Sequence, residues 1–148
     1  MQRWMMIAGI VFMLGLVGLT GGYVWLKNER ANRPDRIWVP IALNPELTHE
    51  QHETFAEELY EQLVTDEILA SVASDLGLQQ RWNHSSSETT VEELHERVFI
   101  EIGEHQHMPS LNIGFTGIRR ENELLREMTS RLIEDFQEMM QDATRDPQ

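Results

Sequence analysis

The stretch VFIEIGEHQHMPSLNIGFTGI, Val98 to Ile118, decides the fold. Val98, Ile100 and Ile102 alternate with Phe99 and Glu101, and Leu111, Ile113 and Phe115 alternate with Asn112, Gly114 and Thr116. A period of two puts every second side chain on one face of an extended chain, so the spacing predicts two strands, each apolar on one side. Adjacent strands of this kind pair antiparallel. Gly103 to Ser110 reads as their connection, longer than a tight turn.

Working outward, the period changes to that of helices. After the second strand, Leu125, Met128, Leu132, Phe136 and Met139 recur at helical spacing, which predicts a final helix from about Arg119 to Asp142. Glu123 with Arg126 and Glu127 with Arg131 are spaced to pair on its outer face. Before the first strand, Thr90 and Glu93 read as the cap of a short helix, following a polar loop from Asn83 to Thr89. Thr65-Asp66-Glu67 opens another helix with the buried stripe Ile68, Leu69, Val72, Ala73 and Leu76. Gly77 stands where a left-handed cap would end it, Leu78 can fold back, and Trp82 anchors the exit. Thr48 and Gln51 form a capping-box pattern for a helix whose apolar face is Phe55, Leu59 and Leu63. Ile37 to Leu43 is a further strand, placed at a sheet edge or on a bulge by Pro40, which has no N–H to donate. The expected class is α+β: a small antiparallel sheet with helices packed on one face.

Upstream lies a different kind of sequence. Trp4 to Leu26 is one apolar run without a charge, and about 23 helical residues span roughly 34 Å, enough for a bilayer core. The expected domain plan is a short tail at 1–3, a transmembrane helix at 4–26, a basic juxtamembrane linker at 27–36, the α+β domain at 37–142 and a flexible tail at 143–148. Trp4, Tyr23, Trp25, Lys27 and Arg30 are the candidate membrane-interface residues. Gly15, Gly18 and Gly22 share one face and are the candidate helix-packing residues. A cleaved signal peptide is the competing reading, with Thr20-Gly21-Gly22 as a poor cleavage site. Lys and Arg are more numerous after the run than before it, which favours a cytoplasmic domain.

Charge narrows the partners. The chain carries −13, and from Ile37 onward seven arginines against 23 acidic residues leave −16. A domain so acidic repels nucleic acid. It should also be repelled by anionic headgroups and stand away from the lipid, with the cluster from Lys27 to Arg36 as the exception. The absence of cysteine excludes disulfides and thiol ligands.

Three stretches in order resemble the chain-length determinant family, the polysaccharide co-polymerases of bacterial envelopes. An N-terminal apolar segment is followed closely by a short strand. EQLVTDEILASVASDLGLQQRW, Glu61 to Trp82, is similar to a helix ending at Leu-Gly-Leu with an aromatic after it. TVEELHERVFIEIGEHQHMPSLNIGFTGIRRENELLREMTSRLIEDF, Thr90 to Phe136, is similar to the family's helix, strand, hairpin and helix, with Ser110–Phe115 and Glu123–Phe136 in the last two places. The resemblance implies a non-enzymatic protein of the cytoplasmic (inner) membrane, its domain on the periplasmic side and its subunits self-associating; the one apolar run makes the expected chain single-pass. It would be an accessory or regulatory subunit in envelope polysaccharide synthesis or export. Family members usually add a long helical extension and a second membrane helix, and the fused kinase versions a glycine-rich phosphate loop; neither is found here. The alternative is a membrane-tethered interaction or scaffold module unrelated to polysaccharide.

The residues offer little chemistry. Glu104, His105 and His107 could present metal ligands from one loop, but His49, His52, His84 and His95 are spread over other elements, and solvated loop histidines are the better account. The acids from Glu46 to Asp75 read as exposed helix faces rather than a facing pair across a cleft. No G-x-S-x-G or G-x-x-x-x-G-K motif occurs. The expectation is no catalytic residue, no cofactor and no metal; the partners are membrane lipid, a second copy or a polysaccharide synthesis or export protein, and not nucleic acid.

Overall fold

The structure, a computed structural model, describes residues 27–145, with side chains as far as residue 141. Strand β1 (Pro34–Ala42) is followed by helices α1 (His49–Leu63), α2 (Asp66–Asp75), α3 (Leu78–Arg81) and α4 (Ser87–Arg97). Then come β2 (Val98–His105), β3 (Met108–Ile118), a 3₁₀ turn (Arg119–Glu121) and the long helix α5 (Asn122–Arg145). The sheet order is β1-β3-β2, antiparallel throughout, with β3 in the centre.

The fold class expected from the sequence requires correction. No helix among the described residues is long and apolar enough to cross a membrane. The longest, α5, has the length at 24 residues, but Glu123, Arg126, Glu127, Arg131, Glu134, Asp135 and Glu138 along it bar it from hydrocarbon. What the structure describes is an α+β domain with a three-stranded sheet. The stretch Trp4–Leu26, with Trp4, Gly15, Gly18, Gly22, Tyr23 and Trp25, lies outside the described residues. Within the segment expected to be a linker, residues 27–31 are helical and β1 begins at Pro34. Pro34 disfavours helix at the residue before it and is tolerated as the first residue of a strand.

The alternation in β3 works as a period of two should. Leu111, Ile113 and Phe115 are fully buried and point towards the helices. They meet Leu125, Met128, Leu132 and Phe136 of α5 in one core with Leu59, Leu63, Leu69, Leu78 and Leu94. Burying each of these side chains contributes about 1.5–3 kcal/mol. Thr129, on the buried face of α5, donates from its hydroxyl to the Ile37 carbonyl at 3.3 Å, so α5 is tied to β1 without an orphaned polar group.

Helix starts follow capping chemistry. Thr48 accepts from the Gln51 N–H while the Gln51 side chain accepts from the Thr48 N–H. Thr65 caps α2 through the Ile68 N–H. The next cap differs from expectation: Ser86, not Thr90, caps α4, accepting from the Thr89 N–H, and Thr90 is buried one turn inside. In α1 the buried residues are His52, Ala56, Leu59 and Leu63, while Phe55 is exposed. The buried stripe is thus turned away from Phe55 onto a histidine. His52 fits because its Nε2–H donates to the Asn44 carbonyl at 2.9 Å.

Strands β2 and β3 are longer than the alternation suggested. Pairing continues to His105 with Met108, so the connection is a two-residue turn of Gln106 and His107, both at positive φ, 52° and 66°. That is the backbone sense of a type I′ hairpin turn, made without the glycine that usually marks it.

Candidate functional site

One face of the sheet carries the helices; the other carries none of the core. The register places Trp38 of β1, Gly114 of β3 and Phe99 of β2 in one row on this open face. Pro40, Asn112 and Glu101 form the next row. Two glycines shape it. A Cβ on Gly114 would lie 2.0 Å from the Ile37 carbonyl oxygen and 2.8 Å from the Trp38 Cβ, so only glycine lets β1 carry Trp38 here. A Cβ on Gly103 would lie 2.3 Å from the Asn112 amide nitrogen, so Asn112 occupies the space that Gly103 leaves.

Arg36 crosses from β1 to β2. Its guanidinium lies 4.0 Å over the Phe99 ring and bonds both Glu101 oxygens, at 3.1 and 3.3 Å. An ion pair this exposed adds little stability. It holds a cation over an aromatic ring beside Trp38, which is 49% exposed. Trp and Arg are among the residue types enriched where binding energy concentrates at protein interfaces. The face thus presents an exposed tryptophan beside a stacked arginine and phenylalanine.

A polar cluster lies on the helical side. His84 is engaged at both ring nitrogens, Nε2 at 2.9 Å from Glu93 and Nδ1 at 3.1 Å from the Thr90 hydroxyl. The other Glu93 oxygen meets Arg97, which also bonds Glu121 at 3.0 Å and lies 4.8 Å over the Trp82 ring. Its charged groups are committed to one another, and only the buried Trp82 Nε1 has no partner. The cluster joins the segment after α3, helix α4 and the 3₁₀ turn. A groove of about 470 Å³ between α2 and α4 is lined by Ala70, Val91 and the His95–Asp66 pair, which meet at 2.8 Å.

Of the candidate membrane-interface residues, Lys27 and Arg30 are described, both exposed on the helical stretch 27–31. Glu104 and His107 are 3.3 Å apart on the exposed hairpin tip. Among the described residues, no group of three or more His, Asp or Glu is arranged to hold a metal ion. Asp66 and Asp75, in the acidic run, pair with His95 and Arg131. The pairs expected within α5 are replaced by pairs between helices: Glu127 bonds Arg81 at 2.5 Å, and Arg131 bonds Asp75 at 2.7 Å. Sequence reasoning did not single out Trp38, Arg36 or Phe99 as a unit. The available signal was Gly114 inside an otherwise strong strand, a mark of close backbone approach.

No family model, curated protein or solved structure matches this chain.

Proposed function

We propose that this protein is a non-enzymatic binding module, tethered at the cytoplasmic (inner) membrane with its domain on the periplasmic side. In this reading it is an accessory or regulatory subunit of envelope polysaccharide synthesis or export. The observation that carries the binding role is Trp38, exposed beside the Arg36–Phe99–Glu101 stack on the face the helices leave open. The proposed occupant of that face is a protein subunit of the synthesis or export apparatus, since a flat aromatic and arginine surface suits a protein interface. The uncharged run Trp4–Leu26 supports the tether, and the resemblance of Glu61–Trp82 and Thr90–Phe136 to chain-length determinants supports the polysaccharide role.

Deleting the gene is expected to change the length or amount of the envelope polymer, and Trp38→Ala in the full chain should reproduce the change with the fold intact by circular dichroism. An unaltered polymer profile in the deletion strain would sink the polysaccharide role. A phenotype confined to some other envelope complex would point instead to a scaffold unrelated to polysaccharide. The periplasmic placement is tested with Ser85→Cys in this cysteine-free chain and a membrane-impermeant thiol reagent. Ser85 is exposed and, unlike Ser86, caps no helix. Labelling in intact cells is the expected result; labelling only after lysis would reverse the topology.

A further inference from the structure

The acidic domain has one basic end, and the chain assembles it from two places far apart in sequence. Lys27, Arg30 and Arg33 lie at the start of the described residues. Arg119 and Arg120 form the 3₁₀ turn between β3 and α5. The fold joins them: β1 pairs with β3 so that Pro34 faces Ile118, and the Arg119 N–H donates to the Arg33 carbonyl at 2.9 Å. All five side chains are exposed, and none forms an ion pair among the described residues. Arg36, Arg81, Arg97 and Arg131 are all held by carboxylates, while Arg126 on α5 is likewise exposed without an ion pair among the described residues. The acids at this end do not cancel it. Glu121 is paired with Arg97, while Asp35 (held by the neutral Asn122 amide), Glu29 and, one step into α5, Glu123 keep their charge, so three acids stand against five cations and the end stays net positive.

We propose that this five-cation end rests on an anionic lipid surface and sets the orientation of the domain there. The inference builds on the tethered reading, since residue 27 directly follows the apolar run. It extends to the folded body the exception that the sequence makes for Lys27 to Arg36, against the expectation that the rest of the acidic domain stands off the headgroups. Lys27, Arg30 and Arg33 alone would be an ordinary flank of an apolar segment. Arg119 and Arg120 add two cations that belong to the folded body, so they fix which side of the body faces lipid. The acidic surface of α1, which starts beyond the opposite end of β1, is then turned away by the same field.

The test uses the full chain with single cysteines for a fluorophore, Asn32→Cys at the basic end and Met108→Cys at the far end of β3, roughly 34 Å away. Vesicles of phosphatidylcholine, alone or mixed with phosphatidylglycerol, carry a headgroup quencher. Quenching at residue 32 but not at 108 is expected on the anionic vesicles, with loss of the effect in high salt. Arg119→Gln with Arg120→Gln should lower the population in contact roughly five-fold per charge removed, and the double lysine variant should restore it. Equal quenching on both vesicles, or no response to salt and to the double glutamine variant, would overturn the proposal. Flotation reads the tether separately. Failure to float with neutral vesicles would remove the tether, while anionic binding that still depends on Arg119 and Arg120 would leave the basic end standing.

Discussion

Single residues explain where the sequence was transparent and where it was not. His52 read as one of six scattered histidines, yet it is 4% exposed and spends its ring N–H on the Asn44 carbonyl. Nothing in α1 announces this, because the partner is a backbone group in the preceding turn. His52→Ala is expected to cost about 1–3 kcal/mol, seen as a lower urea midpoint at unchanged m-value, since a buried ring and its hydrogen bond to the preceding turn are both lost. Gly114 is a stricter case. Its missing side chain is what admits Trp38, so Gly114→Ala should destabilise by at least about 1–3 kcal/mol, because the obstructing atoms are backbone. A melting temperature within error of the parent would contradict this account of the open face. Asp35 gives a pH signature. The Asn122 amide and then the Arg36 N–H hold its carboxyl below the ordinary carboxylate range, with the Arg119 charge adding to them against partial burial. A depressed pKa in the folded chain means stability that is present above the unfolded value and is lost as pH falls through the folded one. The stability gap between the parent and Asp35→Asn should therefore be open at neutral pH and close below about pH 4 in paired denaturation curves.

At the scale of elements, pattern carried furthest where one local rule acts alone. The capping box at Thr48, the Thr65 cap and the left-handed Gly77 at φ 59° were legible because each needs only neighbours in sequence. The strands were legible from alternation, but their hairpin was not, since Gln106-His107 lacks the usual turn residues. That turn stores strain that a substitution can release. His107→Gly should raise stability by about 1 kcal/mol, because a left-handed conformation costs a side-chain-bearing residue about that much. Thermal unfolding of the two proteins measures it, and a less stable glycine variant would show that His107 holds the tip in some other way. The ion pairs of α5 were misassigned for a related reason. Spacing favoured pairs within the helix, but Arg131 reaches Asp75 and Ser71 on α2 as well as Asp135 on its own helix. Tertiary partners decide where a long side chain goes once another helix lies alongside.

For the molecule as a whole, the α+β character was legible, and Pro40 left β1 either at an edge or on a bulge, of which the structure shows the edge. The place of β1 beside β3 was not legible, because pairing between residues 34 and 118 leaves no trace in local sequence. The open face and the basic end were hidden for the same reason, as each draws on residues separated by most of the domain. The position of Pro40 has one more consequence. An outer strand of nine residues with Trp38 and Val39 exposed is a ready template on which other molecules could stack into fibrils. Pro34 and Pro40 share one parity along the strand, so both missing donors fall on the same rim. An incoming strand would find that rim interrupted twice. Pro40→Thr should leave the monomer folded yet shorten the lag of thioflavin-positive aggregation in concentrated solution, so this proline acts as a built-in terminator of uncontrolled polymer growth by the protein itself.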